Sequence, residues 1–242
     1  MKKYISVFYL TARESIYKIF VLWLASALVQ TAAMWLTLNF TDSFLKVAFF
    51  TSKAFIPVIF SITLILTALL LSKTGMQFNT KTGYTLRRLR IRERKVFYIQ
   101  TLYNFMMLFC LLVSEVLLIF VLIKGFKGMH PEEGLSVQTE FKAFYKDLFI
   151  QNLFAGRDIL RIVRNIITVL SLSLNLSAFS FLIRRNSKWI GALLVTALSV
   201  MVFVSAPSIR MIDTDIIFMI PLVMFIIFAF IVVFVKEEQY DS

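Results

Sequence analysis

Charged side chains set within or beside apolar runs are the residues of this sequence most able to do chemistry. Glu115 stands inside FMMLFCLLVSEVLLIFVLI, where a charge costs at least ~2.5–3.5 kcal/mol on membrane-insertion scales. Such a carboxyl must be protonated, pair with a residue of another helix, or line a cavity. Arg157, Arg161 and Arg164 fall at i, i+4 and i+7, one stripe of a helix. They either snorkel towards headgroups or form a vestibule for an anionic substrate or lipid. Together with Glu115 they mark a possible substrate path. The third group is RRLRIRERK, residues 87–95, in which six of nine side chains are Arg or Lys.

No catalytic set accompanies these residues. The sequence has no HExxH, no GxSxG and no GxxxxGK[ST], the spacings that build a zinc protease, a hydrolase nucleophile or a phosphate-binding loop. His130, the one histidine, sits in the turn-like GMHPEEG and reads as a solvated loop residue. Cys110 is the one cysteine, so disulfides and Cys-based metal sites within the chain are excluded. Its apolar surroundings predict a packing role. Enzymatic activity, a metal site and a cofactor are therefore not expected in this chain, and if ATP powers the protein another chain must bind it.

The elements that hold these residues are apolar helices. The sequence is 59% hydrophobic, with 26 Phe in 242 residues and only seven Gly and four Pro. A soluble domain of this size is about 45–50% apolar. A hydrocarbon core of roughly 30 Å needs about 20 helical residues, and six runs qualify: residues 19–38, 55–71, 97–123, 159–183, 189–206 and 216–235. Pro57 lies near the start of the second, where its missing N–H costs little, and Pro221 predicts a kink early in the sixth. About eighteen residues with four basic side chains precede the first run, a leader too long for the n-region of a signal peptide, so the run is read as a span. The expectation is an all-α, polytopic integral membrane protein, residues 1–242 forming a single transmembrane domain.

Charge asymmetry sets the orientation. With the N-terminus inside, the inner segments hold sixteen of the 26 Lys and Arg against five acids, and the outer segments ten against eight. Both termini are then cytoplasmic, and most of the net charge of +12 faces the inner leaflet. That distribution accounts for the basic excess without nucleic acid, which is not an expected partner. Trp35 and Trp189 fall near span ends, as interfacial belts require.

Three amphipathic stretches lie outside the runs. KKYISVFYLTARESIYKIF places Tyr4, Val7 or Phe8, and Thr11 on one face; residues 1–18 read as an interfacial elbow helix, or as the plain flank of the first span. Residues 84–97 place Leu86, Leu89, Val96 and Phe97 on an apolar face, with Arg87, Arg88, Arg94 and Lys95 opposite and Glu93 within reach of Arg90. This helix either binds anionic headgroups, at about 1 kcal/mol per basic residue, or docks on a cytosolic partner. In the outer loop, residues 124–158, SVQTEFKAFYKDLFIQNLF spaces Phe141, Phe144, Tyr145, Leu148 and Asn152 as a surface helix ended by Gly156, with Ser136 or Thr139 as N-cap. Ser171, Ser173, Asn175, Ser177 and Ser180 give the fourth run a small, polar character that favours close helix contact.

An N-terminal elbow, six spans with both ends inside and a basic helix between spans two and three resemble the membrane subunits of type-two ABC exporters. At residue level the likeness rests on TGYTLRRLRIRERKVFYIQTLYN, at the position of the coupling helix of such permeases. It implies that Leu86, Arg87, Arg88, Leu89, Arg90, Glu93, Arg94 and Lys95 dock in a cleft of an ATP-binding subunit. It also implies a second permease subunit, identical or homologous, ATP and Mg bound by the partner, and a bacterial cell membrane. The segment APSIRMIDTD between the last two runs is shorter than the re-entrant helices of many relatives, and the outer loop after the third is longer. The competing expectation is a non-transport scaffold or assembly protein that binds anionic lipid or a protein partner through the same basic helix.

Overall fold

A computed structural model describes residues 2–39, 54–73, 93–129, 147–154, 158–184, 190–204 and 212–241. Among them are seven helices and no strand: α1 (Lys2–Asn39), α2 (Ile56–Ser72), α3 (Glu93–Met129), α4 (Leu148–Leu153), α5 (Ile159–Arg184), α6 (Gly191–Val204) and α7 (Ile212–Asp241). Segments of α1, α3, α5 and α7 are long and apolar enough to cross a membrane. The apolar helices α2 and α6, of 17 and 14 residues, extend only ~26 and ~21 Å at 1.5 Å per residue. Four of the six expected runs thus meet the length of a span, and the second and fifth are shorter.

The outward faces of these helices are apolar. Phe20, Leu28, Leu117, Val121, Leu193 and Met224 are all more than half exposed, a surface that water penalises and a hydrocarbon solvent does not. Cys110 belongs to this exposed set rather than to the core, so its expected packing role does not hold. The apolar run around it gave no face, because a helix bathed in lipid is apolar on both its buried and its exposed sides.

Helix α5 is the centre of the bundle. Its span is 72% buried, against 17–33% for the other three candidate spans. Its hydroxyls and amides permit this because each finds an acceptor. Ser171 donates to the Leu222 carbonyl of α7 across 3.1 Å, and Ser180 to the Ser72 carbonyl of α2 across 2.9 Å. Ser177 accepts from Asn104 of α3 at 3.0 Å. Small side chains bring the backbones close enough for these contacts, and Ala178, Phe181 and Leu182 fill the adjacent layer with Phe97 and Val233.

The contacts also fix helix polarity. At one pole Ser180 meets Ser72, Phe97 meets Phe230 with ring centroids 6.3 Å apart, and the Arg94 guanidinium lies 4.6 Å from the centre of the Phe234 ring. At the other pole Phe60 packs edge-on against Phe149 and Phe203, and Arg164 meets Asp215. The long helices α1 and α3 therefore run parallel, as do α5 and α7. Successive apolar helices alternate in direction only when the shorter α2 and α6 are counted with them.

Two expected boundaries differ from what forms. No break separates residues 2–18 from the first span; α1 runs unbroken from Lys2 to Asn39. Val7, Thr11, Ser15 and Ile19 are buried at every fourth position. That stripe packs on α3, where Ser15 Oγ lies 2.7 Å from the Tyr103 hydroxyl and Phe8 meets the Tyr103 ring edge-on. A face that looks interfacial in sequence is instead a helix contact. The second case is the outer loop. Asp147 is extended, with φ −69° and ψ 121°, and its carboxylate caps a helix confined to Leu148–Leu153. Phe149 and Ile150 turn into the bundle, so the described part of the expected surface helix is buried in part. Gly156 and residues 130–146 lie outside the described residues.

Candidate functional site

The buried polar layer around Glu115 is built by three helices. α3 brings Glu115 and Ser114, α1 brings Ser26 and Gln30, and α2 brings Thr63 from the middle of its length. The Gln30 amide donates to Glu115 Oε1 at 2.8 Å and reaches Ser26 Oγ at 3.5 Å. Thr63 Oγ1 lies 2.8 Å from Ser26 Oγ, and one turn along both helices Trp23 Nε1 donates to Thr67 at 3.3 Å. Gln30 Oε1 is buried without a hydrogen-bond partner. Of the alternatives for Glu115, two hold at once: it has a partner on another helix and it lines a cavity.

That cavity measures about 370 Å³ and is lined by residues of α1, α2 and α3, among them Phe20, Trp23, Ser26, Thr63, Ser114 and Glu115. Its volume lies in the range of small-molecule sites, about 300–1,000 Å³. Among the described residues no Lys or Arg lines it, and no cluster of His, Cys, Asp or Glu could hold a metal ion.

Arg161 and Arg164 are not part of this site. Arg164 Nη1 meets Asp215 Oδ1 at 2.6 Å, Nη2 donates to the Asn152 carbonyl, and Nε donates to Asn165 Oδ1. Asn165 in turn donates to the carbonyls of Asn152 and Leu153 at 2.8 and 3.1 Å. Arg164 and Asn165 thus grip the last carbonyls of α4, which a six-residue helix leaves open, and Asp215 ties the group to α7. Arg161 lies 3.6 Å from both Asp158 and Asp215. Arg157 lies outside the described residues. Arg161 and Arg164 are engaged in joining helices, and neither lines the Glu115 cavity.

Of the basic segment, Glu93, Arg94 and Lys95 form the first turn of α3, with Glu93 and Lys95 exposed. Val96 and Phe97, expected on the apolar face of the basic helix, are buried within the chain. Leu86, Arg87, Arg88, Leu89 and Arg90 lie outside the described residues.

Gln30 and Asp215 are the partners that sequence reading missed. Each carried a signal: a lone amide within the first apolar run, and an acid at the entry to the last. Comparison with protein-family models, curated proteins and solved structures finds no match for this chain.

Proposed function

We infer that the chain is the permease subunit of an ATP-driven ABC exporter, supplying the substrate path while a separate subunit hydrolyses ATP. The observation that carries this reading is the continuity of α3. One unbroken helix joins Glu93, at the end of the basic segment, to Glu115 at the cavity, a reach of roughly 33 Å for 22 residues. A push on the basic segment can therefore move the cavity wall without an intervening hinge. Through the Gln30 and Ser177 hydrogen bonds it also reaches α1 and α5.

In this reading α2 and α6 complete six spans, with both termini in the cytoplasm of a bacterial cell. The alternating polarity of the helices and the excess of Lys and Arg on one side support that topology. The working assembly pairs two permease chains with two ATP-binding chains, and nucleotide-driven closure biases two packings of the helices.

A second reading, a non-transport membrane scaffold, is favoured by the hydrogen bonding of α5. Ser171, Ser177 and Ser180 of its polar stripe are spent on contacts with neighbouring helices, as a purely structural bundle requires. Replacing Arg88, Arg94 and Lys95 together with Glu separates the two. The exporter reading expects the variant to insert normally but to lose its ATP-binding partner on affinity purification. Undiminished recovery of the partner removes the docking role.

A further inference from the structure

We propose that the cavity between α1, α2 and α3 is a binding site for a hydrophobic organic monocation that enters from the lipid phase and pairs with Glu115. The site does not depend on the exporter reading.

Its access is lateral. Phe20 and Leu24 of α1 and Leu117 and Val121 of α3 line the cavity and are 54–64% exposed. They lie within two of the candidate membrane spans, so the mouth opens where hydrocarbon surrounds the protein. A ligand arriving there must be soluble in the membrane.

The interior selects charge. Its walls are largely apolar, and its polar groups are the hydroxyls of Ser26, Thr63 and Ser114 and the Glu115 carboxyl. An anion meets Glu115 with no Lys or Arg among the described lining residues to offset the repulsion. A wholly apolar ligand gains nothing from these groups and takes water from the Glu115 carboxyl. A cation uses both features, because its charge meets the carboxyl and its apolar body replaces lipid against the walls. The Trp23 ring in the same lining offers the aromatic face that most favours a cation. A metal ion is a poor fit, since one carboxylate is far short of a hard-cation ligand set. The cationic group can belong to a free amphiphile or to the ammonium of a membrane lipid.

The test uses the full chain in nanodiscs of phosphatidylcholine, titrated with ethidium and read by fluorescence. The expected result is saturable binding that weakens at least about tenfold in Glu115→Gln, which removes the charge and keeps the shape. Ala27→Leu, which fills the cavity and keeps the carboxyl, is expected to weaken binding similarly. An uncharged phenanthridine of the same size should fail to compete against the wild type. Adding phosphatidylethanolamine to the discs identifies the source: displacement of ethidium points to a lipid ammonium, and no displacement to a free cation. Equal affinity in wild type and both variants, effective competition by the uncharged phenanthridine, or no saturable binding to the wild type each overturn the proposal.

Discussion

The side-chain amide of Gln30 donates to Glu115 Oε1 across 2.8 Å, linking α1 to α3 through two polar residues 85 positions apart in sequence. Removing one partner strands the other, which costs about 1–3 kcal/mol for a buried polar group. Glu115→Leu should therefore destabilise the protein more than Glu115→Gln, which keeps an acceptor for the Gln30 amide. The Gln30→Leu/Glu115→Leu double variant should be more stable than the sum of the single losses implies. The coupling should be ~0.6–1.7 kcal/mol, as for polar contacts between membrane helices. Unfolding of the four proteins in mixed micelles measures it.

The pairing of Arg164 with Asp215 at 2.6 Å is a larger risk to the fold. Asp215→Asn leaves a guanidinium buried beside neutral groups and should cost about 3–5 kcal/mol. Arg164→Lys should not restore the loss from Arg164→Ala, because a single ammonium cannot serve Asp215, Asn152 and Asn165 from one fork. Replacing both Arg164 and Asp215 with Leu should be less damaging than Asp215→Asn alone. Thermal unfolding of the purified variants reads the order.

Much of this fold was legible in the sequence, and the misses share a cause. The apolar runs 159–183 and 55–71 coincide within a residue with α5 and α2, because run length and hydropathy are local properties. The small and polar residues of α5 were legible too, since lipid gives Ser and Asn no reason to face outward. Of the two readings of residues 1–18, the unbroken α1 fits the plain flank of the first span; the face through Val7 and Thr11 looks interfacial until the contacts of Phe8 and Ser15 with Tyr103 are known. Gln30 and Asp215 were missed because their significance depends on partners 85 and 51 positions away. The exposure of Cys110 was missed because a lipid-facing and a buried side chain have the same chemistry.

The tight packing of α5 gives a steric prediction. Ala178 is fully buried in the layer with Phe97, Phe181 and Val233. Ala178→Leu should overpack it and cost about 1–3 kcal/mol. Leu193→Ala, at an exposed position on α6, should be nearly neutral, because it exchanges one lipid contact for another. Stability in micelles distinguishes the two outcomes.

Orientation is open to a labelling experiment. Cys110 is the one cysteine, so a Cys110→Ser background gives a clean chain. Ser136→Cys, in the outer loop by charge asymmetry, should react with a membrane-impermeant maleimide in intact cells. Ser187→Cys, beside Arg184, Arg185 and Lys188, should react only after the membrane is opened. The reverse pattern would invert the topology.

The most direct measurement of the central claim is the mass of the assembly extracted from native membranes by a tag on this chain. A permease subunit of an ABC exporter predicts four chains, two of them permeases and two nucleotide-binding. It also predicts ATPase activity in the purified material that is lost when Arg88, Arg94 and Lys95 are replaced with Glu. Recovery of this chain alone, or only with copies of itself and lipid, would contradict the claim.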